Sequence, residues 1–240
     1  MKTNLEKTAL ILCAGSARRF YADGASRPKC LLPIAENITI LDGLMRPLLA
    51  RDYNIVLGTG CGHEDVVARA SEYSGVQCVF NPEFATTNSI VTLWQLREFV
   101  RDETLLVNGD LVVGENAFDY FDDENTPQIL VKKTASFDDD SYRVVFGREY
   151  CVIRMGKDID DVPGENCAAF TGISRVGNAA KFLREIEKLL SSGTRDTWPT
   201  TAYKNLIGEI PIRAHDIGNT TFFDIDTPEE YEAARLATTK

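Results

Sequence analysis

Residues 8–34 read TALILCAGSARRFYADGASRPKCLLPI, and the rest of the chain can be arranged around them. An apolar run, residues 9–13, has the length of one buried strand. Ala14, Gly15, Ser16 and Ala17 follow, four residues with almost no side-chain bulk. Arg18 and Arg19 come next, then a polar segment with Gly24, then Arg27-Pro28-Lys29. Small residues after a strand let backbone N–H groups approach an anion, and nearby cations add charge. A strand, a small-residue loop, arginines and a Pro-Lys pair in this order describe a site for a nucleoside triphosphate.

Working outward, residues 39–50 place Ile40, Leu44, Leu48 and Leu49 near one helical face, with Pro47 as a candidate kink. Residues 54–57 and 76–80 read as strands, with a helix over 64–73 between them. Residues 89–100 carry Ile90, Leu93, Leu96 and Val100 at helical spacing, and 104–107 form a strand running into Asn108-Gly109-Asp110. This alternation predicts a doubly wound, mostly parallel, Rossmann-like α/β sheet, in which ligands sit beyond the carboxyl ends of strands. The small-residue loop, Asn81 and Asp110 all fall at such ends.

In the second half, residues 128–133, 142–146 and 150–155 are β-like with short connections, which predicts antiparallel additions. The segment 136–140 is acidic, 158–166 is a polar loop and 168–175 is a further strand. Asn178 is placed to cap a helix through Leu190, and 198–206 reads as a short helix. No repeat or linker interrupts the sequence. The expectation is one domain over 1–240, with a nucleotide-binding half (about 1–125) and an acceptor-binding, metal-completing half (about 126–240).

The 240 residues carry a formal net charge of −10, which argues against nucleic acid as a partner. Six cysteines, none spaced as Cys-x-x-Cys, read as buried reduced thiols of a cytoplasmic protein. The start MKTNLEKTAL lacks the apolar core of a signal peptide, and no apolar run reaches transmembrane length.

Two acidic groups complete the chemistry. Asp110, after a strand and a glycine, is a carboxylate at a strand tip, suited to Mg²⁺. Near the other end stands Phe222-Phe223-Asp224-Ile225-Asp226-Thr227-Pro228-Glu229-Glu230. If residues 222–226 are extended, Asp224 and Asp226 share a face. Thr227, Pro228 and Glu230 form a helix start with a capping box, which does not explain two same-face acids beside it.

Leu12-Cys13-Ala14-Gly15-Ser16-Ala17-Arg18-Arg19-Phe20, followed by Pro28-Lys29-Cys30-Leu31, resembles the signature of the nucleotidyltransferases that activate sugar phosphates, phosphocholine and aminoalkylphosphonates. That signature has a glycine where this chain has Ala17, and alanine serves there only if the backbone is not forced to positive φ. Members of the family also carry a Gly-Asp in mid-chain and an acidic-x-Asp-x-Pro-Glu pattern near the end. The resemblance implies Asp110 and Asp226 as ligands of a catalytic Mg²⁺, with Asp224 as a third ligand or a neighbour of the metal. Asn81-Pro82-Glu83-Phe84-Ala85-Thr86-Thr87-Asn88-Ser89, with Thr92 and Leu93 beyond it, is similar to a segment of the small choline-phosphate and aminoethylphosphonate cytidylyltransferases.

What the resemblance implies is transfer of CMP from CTP to a small phosphate or phosphonate, with release of pyrophosphate. The nucleotide-binding residues would be Leu12, Ala14, Gly15, Ser16, Ala17, Asn81, Thr86, Thr87, Asn88, Ser89 and Gly109. Arg19 would hold the β- and γ-phosphates, and Lys29 the α-phosphate or the incoming acceptor. For the acceptor, Tyr142, Trp198 and Tyr203, together with Phe223, are candidate aromatic faces and Glu165 or Asp196 a counter-charge. The expected partners are CTP and the acceptor, with a homodimer left open and with neither nucleic acid nor membrane. A sugar-1-phosphate nucleotidyltransferase using UTP, GTP or dTTP is the alternative, and a non-catalytic nucleotide-binding module a more distant one. A nicotinamide-dependent oxidoreductase would need G-x-G-x-x-G, and Ala17 and Phe20 stand at its second and third glycines.

Overall fold

The computed structural model describes residues 7–17, 20–21, 27–122, 126–134, 136–137, 141–160 and 166–238. The first strand, β1 (Thr8–Cys13), is followed by a small hairpin of β2 (Pro33–Ala35) and β3 (Ile38–Thr39), and then by α1 (Ile40–Leu49). Next come β4 (Asn54–Thr59), α2 (His63–Ala70), β5 (Val76–Phe80), α3 (Ser89–Gln95), β6 (Leu105–Asn108) and β7 (Leu111–Val113). The remainder is β8 (Gln128–Lys132), β9 (Arg143–Phe146), β10 (Val152–Gly156), β11 (Cys167–Arg175), α4 (Ala179–Ser191), α5 (Thr200–Leu206), β12 (Arg213–Asp216), β13 (Phe222–Asp224) and α6 (Pro228–Thr238).

The central strands run β6-β1-β4-β5 and are all parallel, as the strand–helix alternation predicts. β1 is buried on both faces because helices cover both. Ala9 and Ile11 join α1 and α2 in one apolar layer, and Leu10 joins α3, α4 and α5 in the other. β11 is antiparallel to β6, with Ile173 opposite Val107, and through it the second half extends the same sheet. β9 and β10 continue it antiparallel, while β8 pairs with β11 and β12 joins β8 in parallel. Among the described residues no helix is long and apolar enough to cross a membrane.

Two features differ from the sequence reading. The helix over 89–100 ends at Gln95, because the Leu96 N–H turns to the Leu93 carbonyl at 2.9 Å and a 3-10 turn, Arg97–Phe99, takes over. The β2–β3 hairpin and the β7–β13 pair are too short to leave a periodic signal. Of the acidic segment 136–140 and the loop 158–166, residues 138–140 and 161–165 lie outside the described residues.

α1 starts with a capping box: the Asp42 N–H donates to Thr39 Oγ1 at 3.3 Å, and the Thr39 N–H donates to Asp42 Oδ2 at 2.6 Å. Asp42 is wholly buried, and Arg69 of α2 grips it through Nε at 2.9 Å and Nη2 at 2.6 Å. Burial alone would push the Asp42 carboxyl up, but hydrogen bonds from Arg69, Thr39 and Tyr73 outweigh it and hold it below the usual carboxylate range. A group depressed on folding stabilises the protein above its unfolded pKa and gives that up as pH falls through its folded value. Asp42→Asn should therefore cost roughly 2–4 kcal/mol in urea unfolding at neutral pH, since it strips Arg69 of its buried counter-charge. The gap between variant and wild type should narrow below about pH 4. A gap that stays constant into acid would contradict the assignment.

Candidate active site

Asp110 reaches the tip of β1 because residue 109 has no side chain. The Gly109 N–H donates to the Leu12 carbonyl at 3.0 Å, and a Cβ at 109 would stand 2.7 Å from Cys13 Cβ and 2.8 Å from that carbonyl oxygen. The acids of the chain's end arrive by backbone pairing. β13 lies antiparallel to β7 with Asp224 opposite Leu111, and the Ile225 N–H donates to the Asp110 carbonyl at 3.0 Å. Ile225 is fully buried, so Asp224 and Asp226 flank an anchored residue, and both line the same cleft. Glu230 then closes the expected capping box of α6, accepting from the Asp226 and Thr227 N–H groups at 2.8 Å each. Tyr231 ties α6 to the hairpin through the Pro33 carbonyl at 2.6 Å.

Lys29 opens a single 3-10 turn, Lys29–Leu31, after an extended Pro28. Pro28 packs against Gly62, where a Cβ would lie 2.6 Å from the ring and φ is +61°, so only glycine suits both the turn and the contact. The Lys29 Nζ is 3.0 Å from Asp110 Oδ2 and 2.9 Å from Asp226 Oδ1, and it also donates to the Ile225 carbonyl. Burial works against its charge, but the two carboxylates outweigh it and hold the ammonium well above the ordinary lysine range. Packing around the Asp224 carboxyl, together with repulsion from Asp110 and Asp226, keeps it well above the usual range.

These groups sit where two cavities meet, one of about 180 Å³ and one of about 680 Å³, with Leu12, Asn108, Asp110 and Trp198 lining both. Leu12, Ala14, Gly15 and Gly109 line the smaller one from the β1 and β6 side, and Thr87, Asn88 and Ser89 line it from the start of α3. Asn88 caps α3 and donates to Asp196 at 3.3 Å, and its N–H bonds the Arg195 carbonyl at 3.0 Å, which holds the segment bearing Trp198 beside it. Among the described residues the buried Ser89 Oγ has no hydrogen-bond partner.

Other expected ligands take different places. Asn81 is 1% exposed; it donates to Thr92 Oγ1 at 3.0 Å and accepts from the Glu83 N–H at 3.0 Å, so it braces the loop from behind. The Thr86 hydroxyl turns to the Glu83 carbonyl, and Thr86, Ser16 and Ala17 are not among the lining residues. Ala17 adopts φ +49°, the left-handed region that the sequence reading required alanine to avoid. Arg19 and Glu165 lie outside the described residues.

The larger cavity is lined by Tyr142, Trp198, Phe223 and Glu230, with Lys132 and Lys157 among its cations. Tyr203 backs this wall but is only 1% exposed; it packs on Phe182 with its hydroxyl 3.2 Å from Ser174 Oγ, so it offers no open face. The Lys157 ammonium lies 5.0 Å from the centre of the Trp198 ring. All six cysteines are free thiols; Cys151 is exposed and Cys78 half-buried, unlike the other four.

Among the described residues no group of three or more His, Cys, Asp or Glu is arranged to hold a metal. The donor set still suits magnesium. Asp110 Oδ2 and Asp226 Oδ1 converge on one cation, the Lys29 ammonium, and magnesium typically takes one or two protein carboxylates with water and substrate phosphates.

No protein-family model matches the chain. A bifunctional protein GlmU from Methanococcus maripaludis is 27% identical over 118 residues, 49% of this chain and 28% of that protein. The CMP-5'-(3-aminopropyl)phosphonate synthase of Streptomyces rubellomurinus is 31% identical over 116 residues, 43% of this chain and 17% of that protein. The chain thus matches less than a third of the length of either relative. Among solved structures, the CTP:phosphocholine cytidylyltransferase of Streptococcus pneumoniae superposes with a TM-score of 0.79 at 20% identity, covering 96% of this chain and 98% of that one. The inositol-1-phosphate CTP transferase of T. maritima gives 0.73 at 19% identity, covering 95% and 94%. A UDP-glucose pyrophosphorylase bound to UDP-glucose gives 0.79 at 13%, covering 98% and 99%. The chain has the fold of these nucleotidyltransferases.

Two substitutions test the backbone of the site. Gly109→Ala should lower stability by about 1–3 kcal/mol, because the obstructing atoms are backbone and Cβ and cannot rotate away; an unchanged denaturant midpoint would show that the turn yields. Ala17→Gly should raise stability by up to about 1 kcal/mol, by relieving the left-handed alanine. A lower thermal midpoint in that variant would count against the strain.

Proposed function

We propose that this protein is a nucleotidyltransferase, and that it couples CTP to a small phosphate or phosphonate of the phosphocholine or 2-aminoethylphosphonate type. The observation that carries the reading is the convergence of Lys29, Asp110 and Asp226 at the junction of two cavities. One cavity is walled by small residues and hydrogen-bonding groups, the other by aromatic and charged ones.

The acceptor oxygen is already anionic, so no general base is needed. That oxygen attacks the α-phosphorus in line; the new P–O bond forms as the bond to the bridging oxygen of the β-phosphate breaks, and pyrophosphate leaves with the electron pair. The protein's contribution is then position and charge. The backbone at Ala14 and Gly15 borders the triphosphate, and Thr87, Asn88 and Ser89 offer short donors and acceptors to the base or ribose. The unpartnered Ser89 hydroxyl is one such group. Lys29 neutralises the α-phosphate as negative charge builds on it. Asp110 and Asp226 would hold magnesium, with Asp224 beside them; the ion would supply neutralisation of the phosphate oxygens.

A second reading, a sugar-1-phosphate nucleotidyltransferase, is favoured by the volume of the acceptor cavity, about 680 Å³, which has room for a hexose. Pyrophosphate release from CTP, UTP, GTP and dTTP, each offered with phosphocholine, 2-aminoethylphosphonate and sugar 1-phosphates, separates the two. CTP with one of the first two acceptors should give the highest kcat/KM. Turnover confined to UTP or dTTP with a sugar phosphate would establish the second reading instead. Lys29→Ala should lower kcat by roughly 100-fold or more, the scale of a lost transition-state contact; undiminished turnover would reject its role.

A further inference from the structure

We propose that Lys29 keeps the divalent-metal position closed until a triphosphate arrives, so that metal and nucleotide enter together. This rests on reading Asp110 and Asp226 as the metal ligands.

The ammonium donates to Asp226 Oδ1 at 2.9 Å and to the Ile225 carbonyl, and it forms an ion pair with Asp110 Oδ2 at 3.0 Å. Magnesium held by those same carboxylate oxygens would lie about 2.1 Å from each. It would take lone pairs that the ammonium now holds, and the two cations would repel at that range. One of them must leave. Exchanging the ammonium for a divalent ion adds one positive charge beside Asp110, Asp224 and Asp226.

The backbone of Lys29 cannot retreat to allow it. Pro28 is seated on Gly62, and the next residue, Cys30, is 3% exposed in the core. Only the side chain can swing. Alone, that swing trades two hydrogen bonds and an ion pair for water. With a triphosphate in the adjoining cavity, the phosphate oxygens replace the acceptors that Lys29 gives up. The metal is therefore bound weakly by the free protein and tightly in the presence of nucleotide.

Manganese serves as the probe, with free Mn²⁺ read by electron paramagnetic resonance and bound Mn²⁺ by water-proton relaxation. Wild type, Lys29→Met and Lys29→Gln are titrated with Mn²⁺ alone and with Mn²⁺ plus CTP, and Lys29→Met/Asp110→Asn serves as control. Both single variants should bind Mn²⁺ alone at least tenfold more tightly than wild type. The gain should vanish in the double variant.

If wild type forms the Mn–CTP complex but neither single variant gains affinity for Mn²⁺ alone, the proposal falls and the metal reading stands. Wild type binding Mn²⁺ alone as tightly as the variants overturns it equally. If no form captures Mn²⁺ with or without CTP, the metal reading falls as well. Lys29→Gln keeps the test decisive should Lys29→Met fail to fold.

Discussion

The hydrogen bond from the Ile225 N–H to the Asp110 carbonyl, extended by the β7–β13 pair, is the constraint on which the site depends. It joins the turn after a central strand to a segment just before the last helix, two pieces from opposite halves of the chain. The contact is made by backbone, so the side chains of Asp110, Asp224 and Asp226 need not take part in holding the chain together and can face the cleft. Burying Ile225 supplies the apolar stabilisation that the acids beside it cannot. The capping box at Thr227 and Glu230 then starts α6 immediately, and Tyr231 ties that helix to the hairpin beyond Lys29. The lysine and the acids it meets are thus positioned by one connected set of backbone contacts.

The electrostatics of this arrangement work against stability. Asp110, Asp224 and Asp226 stand together beside Lys29, and repulsion among them helps raise the Asp224 pKa. Elsewhere the same chain pairs a buried acid thoroughly: Asp42 receives Arg69, Tyr73 and a helix start. The contrast separates a carboxylate gripped inside the core from carboxylates gathered along a cleft. A carboxyl raised by like-charged neighbours in a cleft, as that of Asp224 is, is a physical mark of a functional site.

The parallel core was legible because its strands alternate with amphipathic helices, and burial on both faces writes long apolar runs such as residues 9–13. Caps were legible too: Asn178 and Thr227 sit where the sequence puts them, since a cap is local chemistry. The β7–β13 pair was not, because two three-residue strands from distant parts of the chain carry no periodicity, and only their pairing makes them strands. The convergence of Lys29, Asp110 and Asp226 could be expected from motif order, but the lysine's contact with both acids could not. Asn81 misled for a related reason. A short amide at a strand end looks the same in sequence whether it faces a ligand or, as here, braces the neighbouring helix through Thr92.

The two halves of the chain contribute differently to the cleft. The walls at Ala14, Gly15 and Gly109 come from the ends of parallel strands, whose spacing is fixed by the sheet, and Gly109 shows how little freedom remains there. The larger cavity adds walls from β8, β11, the start of α5 and β13 to the ends of β1 and β6. Trp198 illustrates how the side chains of this wall set what a ligand meets. Lys157 already lies over its ring, so a ligand ammonium seeking that face would meet a resident cation and would have to displace it. An aromatic ring in an acceptor wall is therefore not by itself a cation cage, and the charge stacked on it decides which end of a substrate it can receive.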